Sequence, residues 1–131
     1  MAKTYPYQEA LPIINVKLIG PRKSLKVKAL IDSGADCSLF QAEIAQFLGI
    51  PLERGRRITL TGIGGKVPAF IHHIPIKIHR HSFDCQIAFS PALKASVNLL
   101  GRDNFFLPFL ITFNERFQKV LLEKNIQPGK R

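Results

Sequence analysis

The chain has 131 residues and a formal net charge of +10, and this length suits one domain with a modest core. No apolar run is long enough to span a membrane, and the first residues lack the apolar segment of a secretory signal. The composition therefore argues against a membrane protein. Because Cys37 and Cys85 do not make a disulfide framework, it also predicts a cytoplasmic location.

The basic residues are spread along the chain and form no dense block. They include Arg22, Lys23, Lys26 and Lys28, then Arg54, Arg56 and Arg57, and finally Lys130 and Arg131. An excess of positive charge permits binding to nucleic acid, acidic lipid or an acidic substrate. No nucleic-acid-binding motif accompanies it, so the pattern favours a solvated basic surface.

The patterning predicts three parts. Residues 1–10 are predicted as a loose N-terminal arm, residues 11–124 as the folded domain and residues 125–131 as a polar C-terminal tail. Within the domain, alternating apolar residues predict strands over 11–19 and 25–31.

A short helix is predicted next, because Ser38 and Gln41 have the spacing of a capping box. The helix would cover residues 39–48, with Gly49 at the position that follows a helix C-terminus.

A β-hairpin follows, because two strand-like segments flank the Gly-rich stretch at 61–66. A phosphate-binding loop is excluded, since no helix follows and the Gly-Lys-Ser/Thr ending is missing. A plain flexible turn and a hairpin that closes over a ligand both remain open. Further strands are predicted over 74–78, 83–89, 97–100, 109–113 and 119–122, with a short helix over 101–107.

The histidines His72, His73, His79 and His81 raise the question of a metal site. His79 and His81 would share one strand face, as two metal ligands could. That face also carries Lys77, and no Cys-x-x-Cys pair or carboxylate triad accompanies it. No metal is predicted. Cys37 has no histidine nearby in sequence, which favours a small packed residue over a nucleophile.

The most informative stretch surrounds Asp32. The apolar residues 29–31 lead into Asp32, and Ser33-Gly34 then turns the chain. A carboxylate at the end of a buried strand is costly unless it is hydrogen-bonded or used in chemistry. Taken alone, the stretch is more typical of an ordinary turn in which Asp and Ser cap their own backbone.

Two later stretches strengthen the functional interpretation. The order is an apolar strand ending in Asp-Ser-Gly-Ala, then Gly-Ile-Gly-Gly at 62–65, then Leu-Leu-Gly-Arg-Asp at 99–103. This pattern resembles the retropepsin-like aspartic proteases, the single-lobe, retroviral-type relatives of pepsin. The resemblance covers about residues 13–123 and rests on the order and spacing of the three motifs.

The resemblance implies an all-β, retropepsin-like closed barrel of the acid-protease type, with one or two short helices per subunit. It implies a catalytic turn made of Asp32, Ser33 and Gly34. It implies substrate contacts from Ala35, Asp36, Ile63, Gly64 and Gly65. Gly101 and Arg102 would support the turn, with Arg102 reaching Asp36 in a buried or half-buried, bidentate ion pair.

Peptide hydrolysis by carboxyl groups requires two of them, one ionised and one protonated, which share a proton when they lie close together. The chain has one Asp-Ser-Gly, and Asp36, Asp84 and Asp103 lack its setting. A second copy must supply the second carboxyl group. The sequence therefore predicts a homodimeric aspartic endopeptidase that acts on a protein or peptide and uses no cofactor.

Two other functions remain open. A peptide-binding module on the same fold would keep the cleft and lose turnover through a poor dimer. A small basic β-barrel that binds nucleic acid would need a basic stripe with exposed aromatic residues, and the scattered charges argue against it.

Overall fold

The computed structural model describes residues 2–62, 65–92 and 97–126. The strands are β1 (Ala2–Pro6), β2 (Ile13–Ile19), β3 (Ser24–Ile31), β4 (Ser38–Gln41), β5 (Arg56–Gly62), β6 (Gly65–Ile78), β7 (His81–Ser90), β8 (Asn98–Leu100), β9 (Phe109–Asn114) and β10 (Lys119–Lys124). The helix α1 covers Ala42–Leu48, and short helical turns cover Leu52–Arg54 and Arg102–Phe106. The second of these turns is irregular, because Asp103 and Asn104 lie outside helical dihedral angles.

Six strands close into a barrel in the order β2, β3, β8, β4, β7, β6. The closure is the antiparallel pairing of β2 with β6 through Lys17–Lys77 and Leu18–Ile76. Strand β5 pairs antiparallel with the first half of β6, residues 65–71. The predicted all-β closed barrel with short helices is confirmed.

A second sheet has the order β1, β10, β9. It corrects the prediction of a loose arm, because Ala2–Pro6 pair antiparallel with residues 119–123. Tyr5 is half-buried and packs against the core, whereas the other residues of β1 are exposed. The sequence prediction failed because this strand is ordered by backbone pairing and has no alternating apolar face.

The core fills the barrel and continues under the second sheet. Leu18, Phe40 and Phe89 are fully buried in the barrel. Phe105 contacts Phe109 with ring centroids 5.6 Å apart, and this pair joins the barrel core to the first residue of β9. Burial of apolar side chains on this scale is the main source of folding free energy.

The predicted helix is partly wrong. Residues 38–41 form a strand, and α1 begins at Ala42 with no side-chain cap at Gln41. Ser38 is fully buried, and its hydroxyl oxygen accepts a hydrogen bond from Gly101 N–H at 3.0 Å instead of capping a helix. The predicted end is correct, since Gly49 adopts the left-handed conformation with φ of 82°.

In the part of the chain that the structure describes, no helix is both long and apolar enough to cross a membrane.

Candidate active site

Asp32 lies where β3 leaves the barrel. Ala29 and Ile31 are buried, and β3 pairs in parallel with β8 from Ala29 to Ile31. Asp32 N–H then donates to Leu100 O at 3.0 Å, which extends the pairing by one residue. The backbone of Asp32 is therefore fixed by the barrel, and its side chain is only half-buried.

The turn after Asp32 is built around its carboxylate. Gly34 N–H donates to Asp32 Oδ1 at 2.9 Å, and Ala35 N–H donates to Asp32 O at 3.2 Å. A Cβ on Gly34 would lie 3.3 Å from the same carboxylate oxygen. Glycine therefore lets the backbone approach the carboxylate closely. Ser33 is exposed beside it.

The segment at 101–103 braces this turn from behind. Arg102 N–H donates to Ala35 O at 2.9 Å, and Asp103 N–H donates to Asp36 O at 2.8 Å. Gly101 packs against the Cys37 backbone so closely that any Cβ would overlap the Cys37 carbonyl group. The predicted supporting positions Gly101 and Arg102 thus lie against the turn.

The ion pair between Arg102 and Asp36 is present, but its setting corrects the prediction. Arg102 Nη2 lies 2.5 Å from Asp36 Oδ1, a single contact and not a bidentate one. The side chains are 59% and 88% exposed in the single chain. The pair therefore lies on the surface, where solvent weakens its contribution to stability.

Two asparagines that the sequence analysis missed complete the support. Asn98 is buried in β8, where its amide donates to Lys28 O at 3.1 Å and accepts from Gln41 N–H at 3.2 Å. Asn104 accepts from Gln86 N–H at 2.7 Å. The sequence did contain a signal for Asn98, because it lies inside the apolar run Val97-Asn98-Leu99. A polar side chain in a buried strand must find hydrogen-bond partners, so a structural role could have been predicted.

The hairpin of β5 and β6 extends beyond the barrel. Pairing of β6 with β7 begins at Phe70, so residues 65–69 pair with β5 alone. Ser90 Oγ donates to Pro68 O at 2.7 Å at the base of this extension. Gly65 has a φ of 111° and open space around it. The predicted site residues Ile63 and Gly64 lie outside the described residues.

His72 supports the base of the hairpin. A ring nitrogen of His72 lies 2.8 Å from Leu52 O, and its ring contacts Phe89 edge-on. The prediction that His79 and His81 share a strand face is wrong, because His79 lies in the turn between β6 and β7 with φ of 54°. Within residues 2–62, 65–92 and 97–126, no cluster of three His, Cys, Asp or Glu side chains could hold a metal.

The two cysteines have the properties of packed thiols. Burial raises the pKa of Cys85 to about 12. Burial, followed by the charges of Asp36 and Asp103, raises the pKa of Cys37. Both therefore stay protonated at neutral pH, and a nucleophilic cysteine requires the thiolate.

A cavity of about 570 Å³ lies between α1 and the connector that follows it. Its lining includes Glu43, Gln46, Ile50 and Leu52, and it does not include the turn at Asp32. The turn at Asp32 is therefore not part of this cavity.

Comparison with known proteins agrees with this geometry. Residues 14–103 match the model of a family described as aspartyl protease. A retropepsin-like aspartic protease from Rickettsia conorii has a TM-score of 0.71 at 19% identity, over 93% of this chain and 89% of that one. EIAV protease complexed with the inhibitor HBY-793 has a TM-score of 0.56 at 24% identity, over 72% of this chain and 85% of that one.

No curated protein shows significant similarity to the sequence. At these identities the two solved structures establish the fold, while the family match covers more than half of the chain and includes both segments that build the turn. The chain belongs to the aspartyl protease family and has its retropepsin-like fold.

Proposed function

We propose that the protein is an aspartic endopeptidase whose active site forms from Asp32 of two copies. The observation that carries the proposal is the turn itself: Gly34 N–H holds the Asp32 carboxylate at the end of a barrel strand. One chain supplies one such turn. A second copy related by a two-fold axis would supply the other carboxyl group.

In the proposed reaction, one carboxylate takes a proton from a water molecule, whose oxygen attacks the peptide carbonyl carbon. The other carboxyl group donates its proton to the carbonyl oxygen. Collapse of the tetrahedral intermediate breaks the C–N bond: the carboxyl group that took the proton from water donates it to the leaving amine, and the other carboxylate takes back a hydroxyl proton of the intermediate. These transfers use only the two carboxyl groups, so the proposal calls for no cofactor.

The residues around Asp32 have proposed roles as well. Ser33 would hydrogen-bond across the dimer, and the backbone of Gly34, Ala35 and Asp36 would contact the substrate. The exposure of Ser33, Gly34 and Asp36 in the single chain supports these roles, because such a surface is free to meet a partner. Gly101 and Arg102 would act as positioning residues.

The hairpin would serve as a flap over the substrate, with Ile63, Gly64 and Gly65 at its tip. One observation supports this role: residues 65–69 have no third strand paired with them. A two-stranded ribbon alone is marginally stable, so this part of the hairpin can move. A substrate lying between floor and flap would be extended and would pair its backbone as an added strand.

We further propose that the second copy packs against β9. This strand is an edge of the three-stranded sheet, and it follows Arg102–Phe106 in the chain. Apolar side chains on and beside it are exposed, namely Leu107 (69%), Leu110 (55%), Phe113 (40%) and Phe117 (66%). An exposed apolar edge of this kind is typical of an interaction surface.

A peptide-library digest, read by mass spectrometry from about pH 4 to pH 8, tests the activity. The wild type should cleave and Asp32→Asn should not. Cleavage by both would remove Asp32 from the mechanism. A confirmed dimer that cleaves nothing would favour a peptide-binding module without turnover.

Sedimentation tests the dimer surface separately. Leu110→Glu should weaken dimerisation by about a hundredfold, since it places a charge in an apolar contact. Phe47→Glu is the matched control, because Phe47 is also exposed (46%) but lies on α1. Equal dimerisation by wild type and Leu110→Glu would move the interface away from β9.

The proposed location is the cytoplasm. The support is that Cys37 and Cys85 are free thiols, which a reducing compartment preserves.

A further inference from the structure

Three lysines form a row across the closure of the barrel. Lys17 lies directly opposite Lys26 of β3 on one side and directly opposite Lys77 of β6 on the other. All three side chains are exposed on the same outer face. Neighbouring strands lie about 4.8 Å apart, so the row spans about 10 Å.

This arrangement works against the fold that contains it. Like charges that lie directly opposite on neighbouring strands destabilise a sheet. The pairing of β2 with β6 comprises only two residue pairs, and one of them is Lys17 with Lys77. The repulsion therefore acts at one of the shortest strand pairings of the barrel, where little backbone pairing opposes it.

In the part of the chain that the structure describes, no carboxylate forms an ion pair with these three lysines. Among the described residues the ion pair that the structure shows is Arg102 with Asp36, at the active-site turn. Asn15 and His79 complete the surroundings of the lysines, and the five residues line a depression of about 290 Å³. The site is thus concave, cationic and supplied with one amide and one imidazole.

The positive field extends to the adjoining turn. Partial desolvation, followed by the charges of Lys3, Arg80 and His81, lowers the pKa of His79. A neutral His79 imidazole can donate one hydrogen bond and accept another beside the lysines.

We propose that this lysine row, Lys17, Lys26 and Lys77, is a binding site for a compact cluster of phosphate groups. Three ammonium groups offer nine N–H donors within a short span, and clustered phosphates offer matching charge and acceptor oxygens. The bound anion would replace repulsion by bridging attraction and so tighten the β2–β6 seam.

The shape favours a compact anion over a nucleic acid. A single strand would need aromatic side chains for base stacking, and the five lining residues include none of Phe, Tyr or Trp. A duplex would need cations spread along many phosphates, whereas this row ends after three strands.

The site is independent of the proposed peptidase activity. Lys26 precedes Asp32 by most of the length of β3, which places their backbones about 20 Å apart. Loss of phosphate binding therefore leaves Asp32 untouched, and loss of cleavage leaves the lysine row untouched.

Calorimetric titration and thermal unfolding with tripolyphosphate test the proposal. The wild type should bind, and saturating ligand should raise its Tm by several degrees. The triple variant K17Q/K26Q/K77Q should lose at least about tenfold in affinity. Amide hydrogen exchange at Leu18 and Ile76 should slow on binding in the wild type, because the ligand stabilises the seam.

The matched control is R54Q/R56Q/R57Q, which removes the same charge from exposed positions elsewhere. It should bind within about twofold of the wild type. Equal loss in both triple variants would overturn the site, because it would show attraction to net charge alone. Absence of a Tm shift with tripolyphosphate, or tighter binding to duplex DNA than to tripolyphosphate, would also overturn it.

Two further arms sharpen the result. Without ligand, Lys17→Gln should raise Tm by a few degrees, since it removes both like-charge repulsions in the row at once; a lowered Tm would contradict the repulsion on which the site rests. Vesicles that carry a phosphorylated inositol lipid identify the source of the phosphates. Displacement of tripolyphosphate by the vesicles indicates a lipid headgroup, and retention of tripolyphosphate indicates a free ligand.

Discussion

The turn after Asp32 and the hairpin of β5 and β6 differ in how many neighbours hold them. The turn is held from two sides, by β8 through Leu100 O and by the segment at 101–103 through two backbone hydrogen bonds. Between Phe70 and its tip the hairpin pairs only within its own two strands, apart from the hydrogen bond of Ser90 Oγ to Pro68 O at its base. One region is braced by distant parts of the chain, and the other is supported at its base.

This difference suits the proposed chemistry. A carboxyl group that shares a proton with its copy must keep its position to within a fraction of an ångström. A cover must instead open to admit an extended peptide. In this fold the turn at Asp32 follows the barrel strand β3, and the hairpin of β5 and β6 lies at the edge of the seven-stranded sheet.

The largest expected effect comes from mixing subunits. Asp32→Asn keeps an acceptor for Gly34 N–H and so should fold normally, while activity falls by at least about a thousandfold. Adding an equal amount of this variant to wild type should lower the rate to about half, because mixed dimers lack one carboxyl group. Exchange of subunits followed by a peptide-cleavage assay measures this.

Asp84→Asn provides the control, since Asp84 is exposed on β7. Its addition should leave the rate per wild-type chain unchanged or higher. A rate that ignores added Asp32→Asn, despite proven exchange, would contradict a site shared by two copies.

The second prediction compares the segment that supports the turn, at Gly101, with the hairpin, at Gly65. Gly101→Ala should lower the free energy of unfolding by about 1–3 kcal/mol, because its Cβ would overlap the Cys37 carbonyl group. Gly65→Ala meets open space, so its cost is limited to backbone strain at positive φ, about 1 kcal/mol. Urea unfolding measures both variants.

Gly65→Ala is expected to be the milder change in the free energy of unfolding and the larger change in the turnover of the folded protein. Gly65→Ala should change KM or kcat more than it changes stability, whereas Gly101→Ala should lose activity together with structure. Equal stability of the two variants would contradict the close packing of Gly101.

A smaller effect is expected at Arg102. In the single chain the pair with Asp36 is exposed, so Arg102→Lys should cost no more than about 1 kcal/mol when unfolding starts from the monomer. If dimerisation covers the pair, the same substitution should cost more at high protein concentration. Denaturation at a low and a high protein concentration measures the destabilisation by Arg102→Lys in each case. The same destabilisation at both concentrations would indicate that the dimer does not bury the ion pair.

The smallest effect concerns the thiols. Cys85 has a pKa of about 12, so alkylation of the native protein near pH 8 should leave it unmodified. Cys37, whose pKa is raised but whose side chain is only half-buried, should react slowly. Mass spectrometry after iodoacetamide treatment checks the order, and faster modification of Cys85 would contradict its burial.

Much of the fold could be predicted because local patterns agreed with tertiary structure. The alternation over 13–19, the Gly-rich hairpin and the αL glycine at Gly49 each have one dominant local solution. The resemblance to retropepsin-like proteases then predicted the barrel. The site residues that the structure describes lie around one turn, apart from Gly65 on the hairpin.

Other features depend on partners that are distant in sequence. Ser38 looked like a helix cap, but its buried hydroxyl accepts from Gly101 N–H. The strand β1 has no apolar alternation and is defined by its pairing with β10. Lys17, Lys26 and Lys77 appeared scattered, and only strand register brings them into one row.

The pairing of β1 with β10 also orders events during synthesis. Ala2 is made well before its partner Glu123, because most of the given sequence lies between them. The barrel strands between them can pair earlier, since their contacts span shorter stretches of chain and such contacts form faster. The sheet that carries β9 is therefore completed last, so a nascent chain cannot present the proposed dimer surface in finished form before its barrel is able to fold.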